Sequence, residues 1–220
     1  MSGLYSAQMD RSFRQGMSWF IVSEVMFFMA FFGALFYGRV IALDWLSGGS
    51  NNAMTFEILW PSFEAMWPLL KTPGGIETQA MPATGLPLIN TAILVISSIT
   101  LHFAHTGLEQ NKRGQLKLML LVTLLLGATF LSLQVYEYIH AYRDLGLTLA
   151  SGFYGNTFFL LTGFHGMHVT LGAIILLFVF FRVLKGHFTP EKHFAFQAAA
   201  WYWHFVDVVW LCLYVFVYVI

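Results

Sequence analysis

The stretch AAAWYWHFVDVVWLCLYVFVYVI, residues 198–220, is long and apolar enough to cross a lipid bilayer. A membrane-spanning helix needs about 20 predominantly apolar residues. This run consists of apolar and aromatic side chains except at His204 and Asp207. It therefore predicts a membrane helix that carries two ionisable groups where charge is costly.

The composition of the whole chain indicates a membrane protein. Of its 220 residues, 58% are hydrophobic and only 10% are charged, whereas charged residues make up about 25% of a typical water-soluble domain. The formal net charge is zero, so no basic surface for nucleic acid is expected. Cys212 is the single cysteine, which excludes a disulfide within these residues.

Five apolar runs predict an all-α polytopic membrane helix bundle that forms a single membrane domain over residues 1–220. The runs are too long for the strands of a β-barrel and lack the alternation that such strands show. The predicted spans are 17–43, 86–107, 117–140, 153–181 and 196–220. The connection 44–85 holds four of the six prolines and is predicted to be an extracytoplasmic loop.

Basic residues near the ends of the spans orient the chain. Eight of them lie on one side: Arg11, Arg14, Lys112, Arg113, Lys117, Arg182, Lys185 and Lys192. Only Lys71 and Arg143 lie on the other side. Because cytoplasmic segments are enriched in Lys and Arg, we predict a cytoplasmic N-terminus and a periplasmic C-terminus in a bacterial inner membrane. A mitochondrial inner membrane is the alternative.

Glu24 is the most unusual residue of the first span, in WFIVSEVMFFMAFFGALF, residues 19–36. Ionisable groups inside membrane spans are rare and usually have a function. Buried polar groups are, however, also commonly satisfied by a hydrogen bond to a neighbouring helix. The sequence leaves both interpretations open: a structural carboxyl, or one that handles protons or orients lipid.

His165 and His168 lie on one helical face in TGFHGMHV, residues 162–169. A structural metal site usually has four ligands, and no Cys, Asp or Glu lies nearby in sequence. A haem would need a histidine on a facing helix, such as His105 or His140. We expect His165 and His168 to form hydrogen bonds or to contact lipid, and we expect neither a metal ligand nor a catalytic residue, because no catalytic motif is present.

Four stretches together resemble subunit III of the haem–copper oxidases, most closely that of aa-type cytochrome c oxidases. They are GMSWFIVSEVMFFMAFFGALFY (16–37), LPLINTAILVISSITLHFAHTGLEQNKR (86–113), FFLLTGFHGMHVTLGAIIL (158–176) and FAFQAAAWYWHFVDVVWLCLYV (194–215). The first, third and fourth are the most specific. With their surroundings they extend the resemblance over nearly all of residues 11–220, the long connection being the variable part.

The resemblance implies a redox-silent accessory subunit of a proton-pumping terminal oxidase that passes electrons from cytochrome c to oxygen. Haem and copper would reside in the partner subunits I and II, and cytochrome c would be reached through the complex. Subunit III proteins pack on subunit I, bind phospholipid, and support proton uptake and the stability of the complex. The five spans correspond to the last five of the family's seven.

Individual residues match positions of the family. Glu24 matches a membrane-buried glutamate that reacts with carbodiimides. Positions associated with phospholipid binding correspond to His165, His168, Arg182 and Lys185. Gln197 departs from the pattern, because many members have Glu at this position. Two alternatives remain open at this point: subunit III of a ubiquinol oxidase, and a haem-binding membrane anchor of the cytochrome b type, which the eight histidines suggest.

Four residues of the stretch 198–220 are predicted to serve subunit packing: Trp203, His204, Asp207 and Trp210. Trp203, Asp207 and Trp210 fall on one face of a helix, with His204 one turn before Asp207. His204 and Asp207 can satisfy one another locally, which lowers the cost of burying them. We predict a docking surface whose polar groups are hydrogen-bonded within the chain or across to subunit I.

Overall fold

The computed structural model describes residues 7–220, and helices make up most of these residues. The helices are α1 (Ala7–Phe36), α2 (Leu43–Leu46), α3 (Ala53–Leu59), α4 (Leu86–Glu109), α5 (Arg113–Arg143), α6 (Phe153–Leu184) and α7 (Phe194–Leu213). Two π-helical segments, Tyr37–Ala42 and Tyr214–Val219, continue α1 and α7. Residues 7–220 contain no β-strand, only an antiparallel bridge between Lys71 and Glu77. The all-α prediction is confirmed.

Five helical segments within the described residues are long and apolar enough to cross a membrane. They are Gln8–Leu46, Leu86–Glu109, Arg113–Arg143, Phe153–Leu184 and Phe194–Val219. The number of spans is as predicted, but most helices extend beyond the predicted ends. Hydropathy marks only the apolar part of a helix, whereas backbone hydrogen bonding continues into polar turns. The turn held by the 2.7 Å ion pair between Asp10 and Arg14 is an example.

Residues with unusual backbone conformations mark the helix ends. Gly85, with φ of 93°, precedes α4, and Pro87 occupies the first turn of that helix, where its missing N–H leaves no gap in the hydrogen-bond pattern. Asn111, with φ of 55°, follows α4 and reverses the chain into α5. Asn111 therefore allows a short connection between α4 and α5.

The chain forms two compact units. The first comprises Ala83–Val135, His165–Ile220 and the described residues of Met1–Val25. Within it α4 packs against α7, and the π-helical end of the chain also packs on α4. Its fully buried side chains include Leu94, Leu101, Leu116, Leu120, Phe130, Phe196, Trp203 and Trp210.

The second unit comprises Met26–Pro82 and Tyr136–Phe164. Phe153 packs directly on Gly38, because a Cβ at Gly38 would collide with the phenyl ring. Trp67 of the long connection packs edge-on against Phe153, and Tyr154 accepts a 3.2 Å hydrogen bond from the backbone N–H of Met81. Residues 44–82 of the long connection therefore pack within this unit.

Candidate functional site

Trp203 of α7 occupies a slot built by three other helices of the first unit. A Cβ added at Gly127 of α5 would lie 2.7 Å from the indole, and one at Gly172 of α6 would lie 3.0 Å from it. The indole Nε1 donates a 3.0 Å hydrogen bond to the Ser97 hydroxyl of α4. The two glycines thus allow α7 to bury its largest side chain against α4, α5 and α6.

Trp210 is held in the same way two turns further along α7. Its Nε1 donates to the Thr91 hydroxyl at 3.0 Å, and Phe130 packs edge-on at 4.9 Å between ring centroids. Trp203 and Trp210 are both 0% exposed. Their own chain therefore encloses both indoles completely, and the docking surface on α7 stays a prediction.

His204 and Asp207 do not pair with each other. The His204 Nδ1 forms a hydrogen bond with the Ser98 hydroxyl of α4. Asp207 is 6% exposed, and its carboxylate oxygens accept no hydrogen bond of normal geometry from the part of the chain that the structure describes. Ser98 also lies close enough to interact with that carboxyl. The predicted local pair is wrong because α4 supplies a better placed partner.

His165 faces the interior of the first unit. Its Nε2 lies 3.0 Å from the backbone carbonyl of Val206, and a carbonyl only accepts, so this nitrogen carries the proton. The Nδ1 atom is buried and has no hydrogen-bond partner within residues 7–220. The whole residue is 0% exposed, and its contact with Val206 is the hydrogen bond that the sequence analysis gave as one of two expectations for His165.

Glu24 and His168 form a hydrogen-bonded pair between α1 and α6. The Glu24 Oε2 lies 2.8 Å from the His168 Nε2, and the two side chains are 22% and 6% exposed. The carboxyl is thus bonded to another helix, as the structural interpretation of Glu24 expects. A carboxyl and an imidazole in contact can also share, take up or release a proton. The geometry therefore suits both roles that the sequence left open.

Arg182 and Lys185 lie at the end of α6, and both are exposed. The Arg182 guanidinium lies over the Phe188 ring, 4.6 Å from its centroid. This contact holds the Arg182 side chain while its N–H groups remain accessible to an anion. Both predicted lipid-contacting cations are therefore on the surface.

Gln197 lies in a polar cluster at the start of α7. Its Oε1 accepts a hydrogen bond from Arg14, which also forms the ion pair with Asp10. The amide oxygen provides an acceptor for Arg14 without adding a second negative charge. A role for a carboxylate at this position is absent from this chain.

Three residues that the sequence analysis did not combine come together in the first unit. Ligand atoms of His105, Glu109 and His193 lie within 4.8 Å of one another. The spacing of His105 and Glu109 places them on one helix face and is visible in the sequence. His193 lies in a distant connection, and only the fold brings it to the other two.

Three of the four histidines considered for haem, His140, His165 and His168, already use a ring nitrogen in a hydrogen bond. An axial ligand needs a free ring nitrogen that faces a histidine of another helix, and the Nε2 atoms of His165 and His168 are already bonded to Val206 and Glu24. His140 forms a 2.6 Å hydrogen bond with Asp144 of its own chain segment. These contacts disfavour a haem held by His165 or His168.

Comparison with known proteins adds an independent observation. The family model described as cytochrome c oxidase subunit III matches residues 1–220. Two similar relatives named cytochrome c oxidase subunit 3 come from Loxodonta africana, 42% identical, and Aedes aegypti, 43% identical. Each alignment spans 216 residues, which are 98% of this chain and 72% of the relative.

Proposed function

The chain belongs to the cytochrome c oxidase subunit III family, and from this premise we propose that it is a redox-silent accessory subunit of a proton-pumping respiratory oxidase. Haem and copper reside in subunits I and II, on which this chain packs. The electron donor is cytochrome c. The chain binds phospholipid, supports proton uptake and stabilises the complex.

The hydrogen bonding of the membrane histidines carries this proposal. His165 and His168 are the most deeply buried imidazoles, and both use Nε2 to join helices. Side chains that hold helices together in this way support assembly rather than electron transfer. Large apolar side chains on α1, such as Trp19 at 73% exposed and Met26 at 62%, provide surface for lipid and for subunit I.

Removal of the chain from the purified oxidase tests the accessory role. We expect haem and copper content per complex to stay unchanged, because the chain holds neither. Initial electron transfer should continue, while proton uptake slows and the enzyme inactivates after fewer turnovers. Loss of a haem together with the chain would contradict the proposal.

The electron donor is tested on the same complex. We expect a copper-A signal and oxidation of reduced cytochrome c. Quinol oxidation without copper-A would place the chain in a ubiquinol oxidase instead.

Phospholipid binding is proposed at Arg182, Lys185 and the Glu24–His168 pair. Exposed cations at the end of a span meet lipid phosphates, and the carboxyl of Glu24 is partly accessible from outside the bundle. Arg182→Ala should lower the phospholipid retained by the purified complex. Lys71→Ala is the matched control, because Lys71 is exposed and pairs with Glu77 in the long connection. Unchanged lipid in Arg182→Ala, with the subunit still bound, would count against this site.

The proposed membrane is the bacterial inner membrane, with the N-terminus in the cytoplasm and the C-terminus in the periplasm. The excess of Lys and Arg in the segments between the spans supports this orientation.

A further inference from the structure

His105, Glu109 and His193 form a cluster at the end of α4. His105 and Glu109 are one helical turn apart on α4, and His193 is the residue directly before α7. Their ligand atoms lie within 4.8 Å of one another. All three belong to the first unit. None of them takes part in the hydrogen bonds that join His165, His168 and Trp203 to their partners.

The orientation of the His193 ring fixes its ligand atom. Its Nδ1 lies 3.2 Å from the backbone carbonyl of Thr189. Since a carbonyl cannot donate, Nδ1 carries the proton and Nε2 of the neutral ring has a free lone pair. Metal-binding histidines commonly donate their second N–H to a backbone carbonyl in this way, which fixes the tautomer and the direction of the ring.

The His105 ring is positioned by packing. It stacks on Phe196, with 5.5 Å between centroids and 24° between planes, and lies 5.3 Å from the His193 ring. Its Nε2 is buried, makes no hydrogen bond to any described residue, and lies 3.7 Å from the Glu109 Oε1. A buried nitrogen without a hydrogen bond beside a carboxylate is a suitable ligand for a cation.

We propose that His105, Glu109 and His193 bind a zinc-type divalent cation, with a water in the remaining coordination position. Two imidazoles and one carboxylate form a ligand set that zinc accepts, at Zn–N and Zn–O distances of about 2.0–2.2 Å. Ligand atoms around such an ion lie roughly 3.5 Å apart, so the cluster needs only small side-chain rotations. The half-exposed Glu109 side chain, at 56%, can move toward the ion and gives it access from solvent. A bound ion would tie the end of α4 to the start of α7.

Zinc binding to the intact purified oxidase tests this proposal. The complex is stripped with a chelator, returned to chelator-free buffer and dialysed against Zn²⁺, and the tightly bound equivalents are counted. Glu109→Gln and His193→Asn should each lose one equivalent, or bind it at least tenfold more weakly, since even outer-shell changes cost about 10–100-fold. His187→Asn is the matched control, because His187 is an exposed histidine of the same connection.

Equal numbers of zinc equivalents in Glu109→Gln, His193→Asn and the unchanged complex would overturn the proposal. An equal loss in His187→Asn would also overturn it, because it would indicate nonspecific surface binding. If His193→Asn does not assemble, Glu109→Gln decides the question, since its side chain is half exposed and its amide keeps the same shape. The result depends only on this chain being folded in its complex. It does not depend on the electron donor or on lipid binding.

Discussion

Glu24 and His168 form a largely buried pair in a chain that spans a membrane. The Glu24 side chain is 22% exposed and the His168 side chain 6%. Removing a carboxylate and an imidazole from water is costly unless each finds a partner. The 2.8 Å hydrogen bond supplies that partner and joins α1 to α6. The partial exposure of Glu24 leaves its carboxyl open to a small apolar reagent, which makes the residue chemically testable.

Glu24→Gln should abolish labelling of this chain by a hydrophobic carbodiimide and leave assembly intact. The reagent needs a carboxyl, whereas the amide keeps an oxygen that can still accept a hydrogen bond from His168. Labelling is measured by mass spectrometry of the chain from the purified complex. Glu57→Gln is the control and should keep full labelling, because Glu57 lies in the long connection outside the spans. Undiminished labelling of Glu24→Gln would show that another carboxyl reacts.

Replacement of Ser97 tests the contribution of one buried hydrogen bond, the one that the Trp203 indole donates to the Ser97 hydroxyl. Ser97→Ala removes the acceptor of the Trp203 N–H, and an unpaired buried donor costs about 1–3 kcal/mol. We expect a lower unfolding temperature of the chain in its complex. Ser132→Ala should leave that temperature unchanged, because Ser132 is exposed and bonds only to the backbone of its own helix. Equal stability of the two variants would mean that the Trp203–Ser97 bond adds nothing.

At the residue scale the sequence predicted which side chains matter better than what they contact. Glu24 stood out because a carboxyl in an apolar run is rare, and a bond to another helix was one of its two expected states. Its partner is 144 residues away, beyond any local pattern. The His204–Asp207 pair was wrong for the same reason, since spacing along one helix carries no information about Ser98 of α4.

At the scale of elements, α7 depends on small residues in the helices around it. Gly127 and Gly172 leave room for one indole, and any side chain added there must displace it. Such contacts take the place of the hydrophobic effect, which provides little attraction between helices that are already in lipid. The packing of Trp203 should therefore be sensitive to a single methyl group.

Gly127→Ala should destabilise the chain by about 1–3 kcal/mol, the usual cost of overpacking a filled core. The new Cβ would lie 2.7 Å from the Trp203 ring, and neither helix can retreat without losing other contacts. Gly166→Ala is the matched control on α6, because nothing lies within 4 Å of a Cβ at that position. It should be neutral or stabilising by up to about 1 kcal/mol, since Ala favours a helix more than Gly does. Heat unfolding of the purified complex compares the stability of the two variants. An equal loss of stability in both would contradict the inference that Gly127 makes room for the Trp203 indole.

The elements themselves were largely predictable. Five apolar runs gave five helices of membrane-spanning length, because hydropathy reports directly on solubility in lipid. The helix ends were less predictable, since polar turns continue the helices beyond the apolar part. The burial of Trp203 and Trp210 within their own chain was not predictable, because a helix that is apolar on all sides gives no sign of which face packs against its neighbours.

At the scale of the whole molecule, the distribution of positive charge predicts the orientation of the five spans in the membrane. Eight Lys and Arg residues fall in three short segments that alternate with the two segments holding Lys71 and Arg143. With an odd number of spans the two ends of the chain lie on opposite sides, so one label on each side is enough to determine the orientation.

Single cysteines should react with a membrane-impermeant maleimide according to this orientation. In a Cys212→Ser background, Glu57→Cys should react in sealed, right-side-out membranes, because the proposed orientation has the long connection on the outer side. Glu191→Cys, in the connection between α6 and α7, should react only after the membranes are opened. Both glutamates are exposed, so burial does not protect either thiol. A difference in reactivity before the membranes are opened therefore reports on which side of the membrane each thiol lies. The reverse pattern would invert the orientation, and equal reactivity before opening would show that the spans between residues 57 and 191 do not separate two compartments.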